Sequence, residues 1–247
     1  MISSRRNFLQ ALGIGAAAGA AVHWPLGDVS KAHAFEAART GQRDGIILLN
    51  SNENAYGPSP KVADAIRSAT GLVNRYTFMK YDEVTEHIAS FHKVKPEQVL
   101  FGCGSTELLR VAACASLGKG RQLVQAWPTF ESIQDYAKSL GSTVASVPLN
   151  QSFAHDLDGM LARTSAPTGL IYICNPNNPT ATITPRNDLE RFIGKLPVSI
   201  DVLIDEAYHH YAGQSEAYAS FIDRPLDDDR VIVTRTLSKV YGLAGLR

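Results

Sequence analysis

Five short segments carry side chains that do modest chemistry singly and a great deal together. Lys239, in "TLSK", is an amine set among small residues just past the apolar run "RVIV" (230–233). A lysine desolvated there loses proton affinity and becomes a nucleophile able to form a Schiff base. Asp205 ends the run "DVLI" (201–204) and opens "DEAY"; a carboxylate at the end of a buried strand needs a cationic or donor partner, and a protonated ring nitrogen is one. Asn178 sits in "NPNNPTA" (175–181), where an amide can donate to a ring oxygen. Gly102 and Gly104 allow a tight turn into Ser105 and Thr106, at a helix start whose unpaired N–H groups and dipole favour a phosphate. Phe130, after Pro128-Thr129, offers a flat face at another strand end.

These residues need a scaffold that brings strand ends together. From about residue 97 the chain alternates apolar runs with amphipathic stretches: "QVLF" (98–101), "QLVQAW" (122–127), "STVASVPL", "TGLIYICN", "SIDVLIDEAY" and "RVIVTRTLS". Between them, Ser105 begins one helix; in "TFESIQDYAKSL" Phe130, Ile133, Ala137 and Leu140 share a face, and Gly141 stops the helix. Thr184-Pro185 reads as an N-cap followed by proline at the first helical position. Strands that are apolar throughout and separated by helices predict a three-layer α/β/α fold with a mostly parallel sheet. Ligands of such sheets bind beyond the carboxyl ends of the strands, which is where all five segments fall.

Phosphate cradle, ring stack, oxygen donor, nitrogen partner and amine, in that order along the chain, are the needs of pyridoxal 5′-phosphate (PLP). The ordered set "NSNENAYGPSP", "NRY", "GCGSTELL", "WPTF", "NPNNPT", "DEAY" and "TLSKVYGLAGLR" resembles the class I/II, fold-type I aminotransferases, and most closely the histidinol-phosphate aminotransferases, over about residues 45–247. The resemblance implies that Lys239 is the Schiff-base lysine and proton shuttle. It implies that Asp205 holds the ring nitrogen protonated, and that Asn178 and Tyr208 donate to the phenolic oxygen. Gly104, Ser105, Thr106, Thr236, Ser238 and Arg247 would meet the phosphate, Phe130 would stack on the ring, and Tyr76 in "NRY" would reach a neighbour's phosphate across a homodimer interface. The implied reaction moves an amino group from an amino acid or a histidinol-phosphate-like amine to a 2-oxo acid. Decarboxylases and lyases use the same scaffold, and a truncated, non-catalytic PLP-binding remnant is a further reading.

Two departures from the family pattern carry expectations. Ala181 stands where the motif usually ends in glycine, so any backbone conformation that requires glycine there should relax. Family members also run on for roughly the length of a small domain, normally bearing an arginine that clamps the substrate carboxylate. The chain therefore reads as a large domain at 76–247 with an incomplete small domain, preceded by an arm or small-domain segment at 35–75.

The first 34 residues read differently. Arg5-Arg6, the apolar "ALGIGAAAGAAV" and "AHA" at 32–34 resemble a Tat export signal with a cleavage site. They predict an exported, periplasmic protein, with a cytoplasmic location as the alternative, and no stable membrane span once the signal is removed. The 247 residues carry 24 Lys plus Arg against 24 Asp plus Glu, without the basic stripe that nucleic-acid binding requires. Cys103, Cys114 and Cys174 form no paired framework, and their apolar or glycine-rich settings suit small buried thiols. His209-His210, read as strand neighbours facing opposite ways, and His87 with His92 offer no metal-ligand geometry.

Overall fold

The computed structural model describes residues 42–43, 46–47, 49–76, 78–213 and 215–246; the Tat-like segment and Arg247 lie outside them. The chain divides into two compact units, Met1–Leu48 and Leu49–Arg247. In the first, β1 (Gln42–Arg43) pairs antiparallel with β2 (Ile46–Ile47).

The second unit starts with helices α1 (Pro60–Ala69), α2 (Phe78–His92) and α3 (Ser105–Ser116). It continues with β3 (Gln122–Trp127), α4 (Ser132–Ser139), β4 (Thr143–Pro148), α5 (Leu157–Arg163), β5 (Thr168–Cys174), α6 (Arg186–Lys195), β6 (Asp201–Asp205), α7 (His209–Ala212) and β7 (Val231–Thr234). The five strands β3 to β7 form one parallel sheet in the order β4-β3-β5-β6-β7. The chain steps outward from β3 to β4, then returns to β5 on the other side of β3. That reversal opens a crevice at the carboxyl ends of β3 and β5. The register sets Cys174 opposite Asp205, and Asp205 opposite Thr234, so one row at this end of the sheet carries a thiol, a carboxylate and a hydroxyl.

Both faces of the sheet are covered, and β5 is buried at every position. On one face Leu123, Leu170, Tyr172, Cys174 and Leu203 pack with Leu109 and Ala113 of α3 and Ile133 and Ala137 of α4. On the other, Val124, Ile171, Ile173, Val202 and Ile204 meet Met160 of α5 and Leu189, Phe192 and Ile193 of α6. Each fully buried Leu or Ile contributes about 1.5–3 kcal/mol. The three-layer fold read from the sequence is the one observed, and α4 buries the expected face, with Phe130 and Leu140 packed partly against the same cluster. Gly141 ends that helix region with φ 78°.

Several local expectations are corrected. "QVLF" is not a ladder strand: after a 3-10 turn at Pro96–Gln98, Val99 is extended but pairs with no described strand, and Leu100 is exposed. An extended segment joins a sheet only where a neighbour takes its N–H and C=O groups. Pro185, not Thr184, occupies the N-cap of α6, because Thr184 is drawn away into side-chain bonds with Asn175 and His155. His209 and His210 lie on the short helix α7 rather than on a strand. Of the three cysteines only Cys174 is buried; Cys103 is exposed on the turn before α3, and Cys114 on that helix is exposed as well.

Candidate active site

The strand ends and the start of α3 converge on one cleft, lined by Ser105, Thr106, Phe130, Cys174, Asn178, Asp205, Ala207, Tyr208, Thr236, Ser238 and Lys239. Gly104 sits just behind it with φ 80°, the left-handed turn that aims the first turn of α3 at the cleft. Sequence reasoning named every lining residue except Cys174 and Ala207. Tyr76, by contrast, is 90% exposed and does not line the cleft, and Arg247 is outside the described residues.

Asp205 is the most enclosed charge in the cleft, 2% exposed. Its Oδ2 accepts from the Tyr172 hydroxyl at 3.1 Å, and its Oδ1 accepts from Thr234 Oγ1 at 3.1 Å and from the Ala207 amide at 3.2 Å. Burial raises its pKa above the usual carboxylate range; the three donors pull the other way, and the neighbouring Glu206 adds to the rise. Burial and the Asp205 carboxylate together push the Cys174 thiol up to about 12, so it stays neutral. Glu206 turns away from the cleft and accepts from Ser220 Oγ at 2.7 Å, the Phe221 amide at 2.8 Å and Arg235 Nε at 2.8 Å. This buried pair ties the end of β6 to the segment leaving β7, and so to the turn that carries Lys239.

That turn is held from two sides. The Ser238 amide donates to Thr236 Oγ1 at 3.1 Å, and both residues are buried. Lys239 Nζ donates to the Asn52 carbonyl at 2.9 Å and stands 5.6 Å from the Tyr208 ring centroid. Asn52 Nδ2 donates to the Tyr208 hydroxyl at 2.9 Å, and Asn54 Nδ2 donates to the Val240 carbonyl at 2.9 Å. The "NSNEN" segment therefore closes on the lysine turn. Gly242 permits this approach: a Cβ there would lie 2.4 Å from the Gly57 carbonyl carbon. Asn52 as an individual site residue was missed because nothing local in its sequence says which distant turn it meets.

Asn178 is presented by a loop clasped at its base and side. Asn175 Nδ2 donates to the Thr184 carbonyl at 3.0 Å while the Thr184 amide donates to Asn175 Oδ1 at 2.9 Å. Asn177 Nδ2 donates to the Pro128 carbonyl at 3.1 Å and to Thr180 Oγ1 at 2.8 Å, and its Oδ1 accepts from Thr129 Oγ1 at 2.8 Å. The loop after β5 is thereby locked to the Pro128–Phe130 corner after β3. Ala181 does not relax the backbone as expected: it keeps the left-handed conformation with φ 57°, held by its amide donating to the Asn177 carbonyl at 2.8 Å.

These residues fit PLP by the chemistry of their donor set. Hydroxyls of Ser105, Thr106 and Ser238 and the free amides of α3 suit a phosphate. A buried carboxylate suits a basic ring nitrogen, Phe130 offers a face, Asn178 and Tyr208 suit a ring oxygen, and Lys239 supplies the primary amine.

Comparison with known proteins agrees with this geometry. Residues 44–247 match the family model "Aminotransferase class I and II". An aromatic amino acid aminotransferase of Rhodococcus erythropolis is 39% identical over 204 residues, covering 82% of this chain and 56% of its own length. One from Mycobacterium sp. strain JLS is 41% identical over 211 residues, covering 82% and 58%. The crystal structure of the Sinorhizobium meliloti histidinol-phosphate aminotransferase in complex with pyridoxal-5′-phosphate superposes with a TM-score of 0.74 at 29% identity, covering 80% of this chain and 53% of that one. The chain thus spans a little over half the length of the curated relatives it matches. PLP is the cofactor of this family. With the family pattern matched from residue 44 onward and the strand-end cleft assembled, this chain belongs to the class I and II aminotransferases.

Proposed function

We propose that this chain carries the cofactor-binding core of a PLP-dependent aminotransferase that moves an amino group between an amino acid and a 2-oxo acid. The observation that carries this reading is the convergence of Asp205, Asn178, Tyr208, Ser238 and Lys239, from three strand ends, on one cleft. When bound, PLP supplies an aldehyde that takes up primary amines and a ring that withdraws electrons from the adjacent carbon. The protein supplies everything else. Lys239 Nζ would be the amine that holds the cofactor and the group that, freed from it, would hold and move a proton in the cleft. Asp205 keeps a ring nitrogen protonated. Asn178 and Tyr208 hold the ring oxygen, and Ser105, Thr106 and Ser238 anchor the phosphate.

The names of the relatives make aromatic amino acids the first donors to test; the fold match to a histidinol-phosphate aminotransferase supports histidinol phosphate as the second. A homodimer fits the exposed Tyr76, which would serve the neighbour's cofactor; a monomer that retains PLP through Tyr76 counts against that arrangement. The test of the core proposal is borohydride reduction of the PLP-loaded protein followed by peptide mapping. The pyridoxyl label is expected on Lys239 and absent from Lys239→Ala; a label that persists on another lysine overturns the assignment.

A further inference from the structure

Asp205 is reached by a residue that no cofactor contact explains. Tyr172 lies on the central strand β5, one inward-facing position before Cys174, and is completely buried. Its ring packs among Leu109, Leu170 and Leu203, apolar side chains that a phenylalanine would satisfy equally well. Its hydroxyl nevertheless points at Asp205 Oδ2, 3.1 Å away.

We propose that Tyr172 is a positioning residue for Asp205: its buried hydroxyl, donating to Oδ2, keeps the carboxylate ionised and turned toward the cleft. The inference rests on the PLP reading above but concerns a residue outside the cleft. Its physical basis is a competition. A carboxylate this buried is pushed toward its neutral form, in which it could no longer hold a proton on a ring nitrogen. Hydrogen bonds to the charged form oppose that; among the described residues Asp205 accepts three, from Thr234 and Ala207 at Oδ1 and from Tyr172 alone at Oδ2. The titratable groups that face Asp205 are Tyr172 and Cys174 on β5, Glu206 beside it, and Tyr208 and Lys239 across the cleft. Of these, Tyr172 is the one that donates to the carboxylate. Its own pKa is held far above the ordinary phenol value by burial and by Asp205, so it remains a donor throughout the accessible pH range.

The test uses Tyr172→Phe in the full chain, with two readouts besides turnover. In the protein without cofactor, the 13C resonance of the Asp205 carboxyl should titrate at higher pH in the variant than in wild type. In the PLP-loaded protein, the 15N resonance of the ring nitrogen should move toward the value of unprotonated pyridine, because a more basic carboxylate draws the proton to itself. Turnover should fall about tenfold, the equivalent of one hydrogen bond to a charged group. If Phe at this position prevents folding, 3-fluorotyrosine at residue 172 keeps the shape with a stronger donor, and the carboxyl titration should then move to lower pH. A carboxyl titration unchanged by either replacement overturns the role of Tyr172 and leaves the cofactor assignment intact. A wild-type protein that takes up no PLP, with the carboxyl titration shifted as described, overturns the cofactor assignment and leaves Tyr172 as the group that sets Asp205.

Discussion

At Ala181 the backbone takes a conformation its side chain resists. With φ 57°, it stands in the left-handed region, which costs an L-residue about 1–2 kcal/mol relative to glycine. The loop keeps it because the Ala181 amide must reach the Asn177 carbonyl to close the turn that presents Asn178. Replacing Ala181 by glycine should remove the steric cost while giving back part of it as unfolded-chain entropy. A net gain of about 0.5–1 kcal/mol is expected in urea unfolding, with the cleft unchanged; a loss of stability would mean that the alanine methyl makes a packing contribution larger than the strain. The substitution was visible in the sequence as a departure from the family motif. The response to it was not, because whether a backbone relaxes depends on what its amide must bond.

Among elements, the corner after β3 and the loop after β5 behave as one part. Asn177 joins them, bonding the Pro128 carbonyl and the Thr129 hydroxyl on one side and Thr180 on the other. Phe130 and Asn178, which both line the cleft, follow directly on Thr129 and Asn177. Asn177→Ala leaves the buried Thr129 hydroxyl without its acceptor and the Pro128 carbonyl to water, which should cost about 1–2 kcal/mol. The midpoint of urea unfolding reads that loss, and PLP should be retained less tightly than in wild type, measured by equilibrium dialysis. Unchanged stability with unchanged retention would show that the two loops are positioned independently. The "NPNNP" motif drew attention to Asn178; the part played by Asn177 depends on a contact across the sheet that no local spacing encodes. The same holds for "QVLF", which has the composition of a strand but no described neighbour to pair with.

For the whole unit, acid stability follows from a histidine that does not line the cleft. His155 is buried, its Nδ1 lies 2.7 Å from Thr184 Oγ1, and its Nε2 has no partner among the described residues, so a second proton has nowhere favourable to go. Burial lowers its pKa from 6.5 to about 4. The unfolded chain therefore binds more protons than the folded one between those values, and stability contributed by the neutral ring is full above about pH 6.5 and is lost as pH falls toward 4. From about pH 6.5 to about pH 5 the loss is about 2 kcal/mol. His209, also lowered to about 4 by burial and Arg235, adds in the same direction with a smaller weight because it is partly exposed. Asp205 acts oppositely, since a raised carboxyl takes up its proton more readily when folded. Comparing His155→Asn with wild type isolates the histidine: the variant should show a flatter fall of thermal midpoint between about pH 7 and about pH 5. Parallel curves would show that His155 is not the group responsible.

The sequence by itself determined the parallel three-layer fold, the alternation of strands and helices apart from "QVLF" and His209-His210, and nearly every residue lining the cleft. Apolar periodicity marks the elements and a parallel sheet must deliver the residues after its strands to one edge, while the resemblance to the aminotransferase motifs supplied Tyr208, Thr236 and Ser238. Only the tertiary structure decided that Tyr172 and Thr234 bond Asp205, that Asn52 meets Lys239 and Tyr208, and that Asn177 locks two loops. Those contacts join residues far apart in the chain, and their partners are chosen by register and packing rather than by any property of the neighbouring residues.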